Sequence, residues 1–211
     1  MLLHYKRDKQ SHQYHRFRYH CKEKPPHACQ HMRIMSLLAR NGIIFRPLQV
    51  SDADDFMAYV GDGEVCRYCR METMRLREEA LKYLQEVAIP HPWFRAICVQ
   101  GRAVGFVYVL AGDPAGSFRH NAGITYAPSS HYSGRGIVTQ ALKMVLSCVF
   151  GEFPNLVRLE AKVDGRNKAS LRVLEKAGFV HEGVLRKIFY REGDIIYLHV
   201  YSFSSSDPLP K

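Results

Sequence analysis

Residues 131–142, HYSGRGIVTQAL, set two glycines around an arginine immediately before an apolar stripe that repeats every three or four positions. A helix start leaves about four backbone N–H groups without partners and carries a partial positive charge, so it suits a phosphate group when nothing obstructs the approach. Gly134 and Gly136 remove the obstruction, and glycine reaches the positive φ angles that turn successive N–H groups inward as a nest. Two well-known phosphate loops do not fit. No Lys-Ser/Thr pair follows the glycines as a Walker loop requires, and the third glycine and acidic residue of a dinucleotide fold are missing from their places. Taken alone, two glycines fit an anion receptor and a plain strand-to-helix turn about equally.

The elements that must position this loop are periodic from Ile43 onward. IIFRPL reads as a short strand, Ser51 followed by Asp54 is a helix-start signal opening SDADDFMAYV, and RLREEALKYLQEVAI fits a second helix. WFRAICVQGRAVGFVYVLA reads as two β-runs turning at Gln100 to Arg102, and NAGITYA as a third ending at Pro128; together they make an antiparallel meander. After the glycines, Ile137, Ala141, Leu142, Val145, Leu146 and Val149 fall at helical spacing and form one apolar face. LVRLEAKV follows as a strand, NKASLRVLEKA as a short helix closed by Gly178, and VLRKIFYREGDIIYLHVYSF as a hairpin around Gly193-Asp194. This order predicts a mixed α/β domain with a mostly antiparallel sheet flanked by helices.

The 211 residues, 46% hydrophobic, suffice for one domain with a real core. No stretch approaches the roughly 18 uninterrupted apolar residues that cross a bilayer, and no secretory apolar region opens the chain, so the expectation is a cytoplasmic protein, with the nucleus as a second location and no membrane partner. Cys21, Cys29, Cys66, Cys69, Cys98 and Cys148 then read as reduced thiols; Cys66 and Cys69 form a CxxC without a second pair at zinc spacing. Of the +10 formal charge, +7 belongs to residues 1–40. Residues 1–34 hold six of the eleven histidines, lack a sustained period and contain Pro25-Pro26, so they read as a basic, disordered extension ahead of a domain at 35–211. Such a tail is the one feature suited to nucleic acid. A leader bypassed by a start at Met35 is a duller account, and a transit peptide is disfavoured because Ser11 is its only serine. His27, Cys29 and His31 alternate without a fourth ligand, and no metal is expected.

The run YSGRGIVTQALKMVLSCVF, then RLEAKVDGRNKASLRVLEKAGFVHEGVLRK, then a closing hairpin, resembles the GNAT family of acetyl-CoA-dependent N-acetyltransferases, and within it the Rim-type branch that includes ribosomal-protein N-terminal acetyltransferases. The resemblance runs from Ile43 to Phe203 and is strongest from Tyr132 to Lys187. It implies the GNAT acyl-CoA N-acyltransferase fold, acetyl-CoA as co-substrate, and direct transfer to a primary amine, above all a protein N-terminus. The family's Gln/Arg-x-x-Gly-x-Gly/Ala loop falls on Ser133, Gly134, Arg135, Gly136, Ile137 and Val138, with departures at Ser133 and Val138. By resemblance, the N–H groups from Gly134 to Thr139 hold the coenzyme pyrophosphate.

Acetyl transfer from a thioester to an amine needs a neutral nucleophile, a donor for the developing oxyanion and a proton for the leaving thiolate. An α-amine with pKa near 8 loses its proton at a cost of about 1 kcal/mol at neutral pH, whereas a lysine costs several. The resemblance assigns Glu160 as the base, acting through water; the alternative is a strand residue ion-paired to Arg158 or Lys162. The family's frequent thiolate-protonating tyrosine is Leu174 here, and Ser170 is the substitute the resemblance offers. Asn167 would hold the pantetheine arm, against a plain role as helix cap with Ser170 completing the first turn. Backbone N–H groups at Thr125 and Tyr126 would meet the thioester carbonyl, against ordinary pairing within the sheet. Arg166, Lys168 and Arg172 are distant candidates for the coenzyme 3′-phosphate, and Trp93 reads as packing. Glu64, Glu72, Glu78, Glu79 and Asp194 read first as a solvated acidic face. The competing function is a catalytically weak acetyl-CoA-binding module whose basic extension engages nucleic acid.

Overall fold

The computed structural model describes residues 42–210 except 70, 72, 113, 114 and 192. The expected extension at 1–34, with Cys21, Cys29 and the His27/Cys29/His31 group, lies outside them, as does Glu72. Among the described residues seven strands form one sheet: β1 (Ile43–Pro47), β2 (Phe94–Val99), β3 (Arg102–Ala111), β4 (Asn121–Pro128), β5 (Arg158–Asp164), β6 (Val180–Arg191) and β7 (Asp194–Ser204). Their order is β1-β2-β3-β4-β5-β7-β6. Every neighbouring pair is antiparallel except β4 with β5. The mixed α/β fold with a mostly antiparallel sheet is therefore the one expected.

The single parallel pair has a topological cause. Parallel neighbours cannot be joined by a tight turn and need a crossover, which is supplied by α4 (Ile137–Glu152). Its apolar stripe, Ala141, Leu142, Val145, Leu146 and Val149, is buried with Leu159 of β5, Phe203 of β7, and Leu171 and Leu174 of α5 (Lys168–Lys176). The other face of the sheet is covered by α1 (Ala53–Val60), α2 (Gly63–Tyr68) and α3 (Arg77–Tyr83), the last continuing as a wider π turn over Leu84–Ala88. There Phe56, Tyr59 and Leu84 bury against Phe94 and Phe106. No helix of the described residues is long and apolar enough to cross a membrane.

The first helices depart from expectation at their starts. A 3₁₀ turn at Val50–Asp52 precedes α1, and Asp52 rather than Ser51 or Asp54 organises it. The buried Asp52 carboxylate accepts the Gln49 N–H at 2.8 Å and takes both Arg46 guanidinium nitrogens at 2.6 and 2.7 Å. Asp54 instead reaches Arg77 of α3 at 2.6 Å. The six-residue α2 was not anticipated; Asp62 caps it by accepting the Glu64 N–H at 2.9 Å. Glu79 plays the same part for α3, accepting from Arg75 and Leu76, so it belongs to helix capping and not to a free acidic face.

Candidate active site

At the mouth of α4, Gly134 and Gly136 both adopt φ of +74°, a left-handed conformation that side chains resist. A Cβ built on either glycine would meet nothing within 4 Å, so the space in front of the loop is open. The first helical hydrogen bond runs from the Gln140 N–H to the Gly136 carbonyl at 3.0 Å. Among the described residues none accepts a hydrogen bond from the N–H groups of residues 134–139; no side chain caps the helix and its first turn holds no acid. Ser133, expected in the same set, donates its N–H to the Ser130 carbonyl at 3.0 Å and is committed to the preceding turn. Arg135 lies over the Tyr132 ring, 5.2 Å from its centre. A cleft of about 390 Å³ beside the mouth is lined by Tyr132, Arg135, Gly136, Ile137 and Gln140 with Ile43 and Val99 from β1 and β2.

The same end of the sheet is split. β4 and β5 pair only from Asn121 with Arg158 to Gly123 with Glu160. Beyond Gly123, β4 stays paired to β3, Thr125 opposite Tyr108 and Tyr126 opposite Val107, while β5 stays paired to β7 as far as Asp164. Thr125 and Tyr126 therefore lie on a strand that has parted from β5.

Across this opening stands the start of α5. Asn167 caps it, its side-chain oxygen accepting the Ser170 N–H at 3.0 Å, so the plain capping role is realised. The Ser170 Oγ lies 2.7 Å from the Tyr126 hydroxyl. Burial pushes the Tyr126 phenol far above its ordinary range, against the opposing effect of that hydrogen bond, and keeps it protonated. Leu174, one turn beyond Ser170, is fully buried in the core.

Glu160 sits at the last paired rung, with Lys162 Nζ at 2.7 Å and Arg158 at 3.1 Å, so both ion pairs of the structural alternative are present. Burial acts to raise its pKa, but hydrogen bonds from Lys162 and Arg158 outweigh this and hold the carboxyl below its usual value. Arg158 also grips Glu182 of β6 with two nitrogens. Arg166 is engaged by Asp164 at 2.7 Å and Asp194 at 2.6 Å, fastening the β5–α5 loop to the β6–β7 turn, while Lys168 and Arg172 stay exposed. Arg166 and Asp194 thus hold structure together and neither is a free charge.

Sequence reasoning anticipated Tyr126 through its backbone and missed its side chain. Ser130, next to the glycine loop, helps to hold the Asp62 carboxyl below its usual range. Trp93 is buried as expected, with its indole N–H on Glu152 at 2.6 Å. Cys66 is a buried free thiol directed at the Val60 carbonyl, and burial pushes the Cys69 thiol up to about 12, a value that disfavours a reactive thiolate. Among the described residues no group of three or more His, Cys, Asp or Glu side chains could hold a metal ion.

Comparison with known proteins identifies the family and the fold. Residues 43–180 match the Acetyltransferase (GNAT) domain. The chain is 30% identical over 169 residues to the uncharacterized N-acetyltransferase YoaA of Bacillus subtilis (strain 168), covering 79% of this chain and 95% of that protein. Its fold is shared with Mycobacterium smegmatis RimJ in complex with CoA-disulfide, at a TM-score of 0.64 and 23% identity over 77% of this chain and 82% of that one. It is shared also with the Salmonella typhimurium acetyl transferase that modifies the N-terminal serine of 50S ribosomal subunit protein L7/L12, at a TM-score of 0.66 and 19% identity over 78% and 96%. With a domain match over more than half its length and a near full-length relative, the chain belongs to the GNAT acetyltransferase family and is an N-acetyltransferase.

Proposed function

We propose that this N-acetyltransferase works in the manner of the Rim-type branch, moving the acetyl group of acetyl-CoA directly to a primary amine, with a protein N-terminus as the favoured acceptor. The observation that carries the reading is the row of unpaired N–H groups at residues 134–139, set at the start of a 16-residue helix beside the opening between β4 and β5. A diphosphate needs several donors and no competing carboxylate, and the N–H groups without an acceptor among the described residues and the acid-free first turn support the reading. The thioester supplies an activated acyl carbon; the chain's own residues orient it and manage protons. Asn167 and the backbone at Thr125 and Tyr126 would flank the pantetheine arm and the thioester carbonyl along the split. The ion pairs on Glu160 keep it a carboxylate at neutral pH, which suits a base that takes a proton through water from an α-ammonium. Ser170 would supply the proton to the departing thiolate. The N-terminal serine substrate of the Salmonella protein sharing this fold supports an N-terminal acceptor. In this reading the catalytic unit is residues 35–211, with 1–34 as an appended segment.

Calorimetry with acetyl-CoA followed by mass spectrometry of a panel of peptides with free N-termini and of polyamines tests the reading. The expected result is saturable uptake of one acetyl-CoA per chain and acetylation at the α-amine. Absence of uptake, or uptake with no amine in the panel modified, overturns it.

A further inference from the structure

The first turn of α5 carries a hydroxyl pair spanning 44 residues of sequence, Tyr126 on β4 and Ser170 on the helix. Either hydroxyl can donate across the 2.7 Å contact. The phenol has a single hydrogen, and the Ser170 Oγ lies nearer to it than the Ser170 carbonyl oxygen, at 2.7 against 3.4 Å. In the arrangement that leaves the serine hydrogen free, the phenol gives its hydrogen to the serine oxygen, which accepts it. A hydroxyl that accepts in this way has its own hydrogen to give elsewhere, and Ser170 is only half-buried, so that hydrogen has an open side. Three constraints hold the oxygen in place: the helix backbone, the Asn167 cap on its own N–H, and the phenol. Burial keeps the Tyr126 proton on its oxygen, which makes the phenol a permanent donor. No phenol comes from α5 itself, because Leu174 fills that position inside the core.

We infer that Tyr126 is a positioning residue that acts through Ser170, orienting the serine hydroxyl so that its hydrogen faces the sulfur of the departing thiolate. This rests on the proposed role of Ser170. In the step served, the amine nitrogen forms the bond to the acetyl carbon and the carbon–sulfur bond breaks with its electron pair going to sulfur. Sulfur takes the Ser170 proton as Ser170 receives, through water, the proton lost by the amine nitrogen. Neither hydroxyl is left changed, and Tyr126 never gives up its proton; its hydrogen bond stabilises the negative charge that builds on the serine oxygen.

The test compares Tyr126→Phe, Ser170→Ala and the double variant, with acetyl-CoA affinity by calorimetry, thermal unfolding, and kcat and KM on a peptide with an N-terminal serine. Tyr126→Phe keeps the ring and its packing. It is expected to lower kcat by about tenfold, the scale of one hydrogen bond, while acetyl-CoA affinity stays within about twofold of the parent's. Ser170→Ala is expected to lower kcat by about a hundredfold, and the double variant to be no slower than Ser170→Ala alone. Wild-type kcat in Ser170→Ala overturns the serine reading and this inference with it. A slowed Ser170→Ala beside an unaffected Tyr126→Phe, losses that multiply in the double variant, or a Tyr126→Phe defect confined to affinity overturns the role of Tyr126 while the serine reading stands.

Discussion

Gly123 of β4 and Glu160 of β5 form the last rung of the parallel pair, and the strands part immediately beyond them. A carboxylate is thus placed at the apex of the opening, with a lysine at 2.7 Å and an arginine at 3.1 Å to keep it ionised. Because these cations lower its pKa, Glu160 stays ionised well below neutrality. Glu160→Gln is expected to lower kcat/KM by about a hundredfold with acetyl-CoA affinity unchanged. Lys162→Met removes one stabilising cation, so the carboxyl pKa rises and the acid limb of the kcat/KM profile moves to higher pH. A limb that stays put in Lys162→Met assigns the base elsewhere.

The glycine at the helix mouth separates binding from folding. Gly136→Ala places a methyl group at φ +74°, a strain of about 1–2 kcal/mol, and sets it in the open space where the diphosphate is expected. Each charge-assisted hydrogen bond displaced there is worth about 1.5–3 kcal/mol, so acetyl-CoA affinity should fall at least about tenfold. Gly151, near the far end of α4, has ordinary φ and open space for a Cβ. Gly151→Ala is expected to stabilise the fold by roughly 0.5–1 kcal/mol and leave affinity untouched. Calorimetry and thermal unfolding of the two variants read the contrast directly.

What was legible in the sequence was what periodicity and turn chemistry encode. The stripe from Ile137 to Val149 announced α4 because six apolar residues must share one buried face, and β4 was bounded by Pro128. The six-residue α2 escaped because one and a half turns carry no measurable period; only Asp62 ahead of Gly63 marked its start. The Ser51 signal failed because Asp52 is fixed by Arg46, an ion pair between two elements that local spacing does not encode. The same limit governed the site. The glycine loop is contiguous and was found, whereas the Tyr126–Ser170 bond and the Arg166–Asp194 bridge join residues 44 and 28 positions apart and exist only after the sheet assembles.

Leu174 occupies the position where the family often places a phenol, and here it is enclosed by the core between α4 and α5. Its side chain is fully buried in that cluster, so a larger ring would have to displace core neighbours. Leu174→Tyr is expected to destabilise the protein by about 1–3 kcal/mol through overpacking, lowering Tm by several degrees without raising kcat. Leu174→Met, which conserves volume, should cost under about 1.5 kcal/mol. A tyrosine variant that keeps its Tm and gains rate would show that the phenol reaches the site.

His91 gives the fold a dependence on pH that is independent of catalysis. Its Nδ1 accepts the Trp93 N–H at 3.1 Å, and its ring meets Phe94 and Tyr108 edge-on. Burial, aided by the neighbouring Arg95, lowers its pKa from 6.5 to about 4, so the folded protein keeps this imidazole neutral where an unfolded chain would charge it. Between those two values the unfolded state binds more protons, and stability must fall as pH falls. One such group sets a limiting slope of about 1.4 kcal/mol per pH unit. His199, also held low by burial and by its neighbour His181, adds in the same direction. His91→Gln retains a side-chain acceptor without a titrating ring and should remove part of this slope, leaving the rest to His199 and, toward pH 4, to carboxylates held low such as Glu160, Asp164 and Glu182. Urea unfolding of parent and variant at intervals from pH 4 to 7 measures the difference; identical slopes would mean that the His91 ring is solvated enough to charge in the native state.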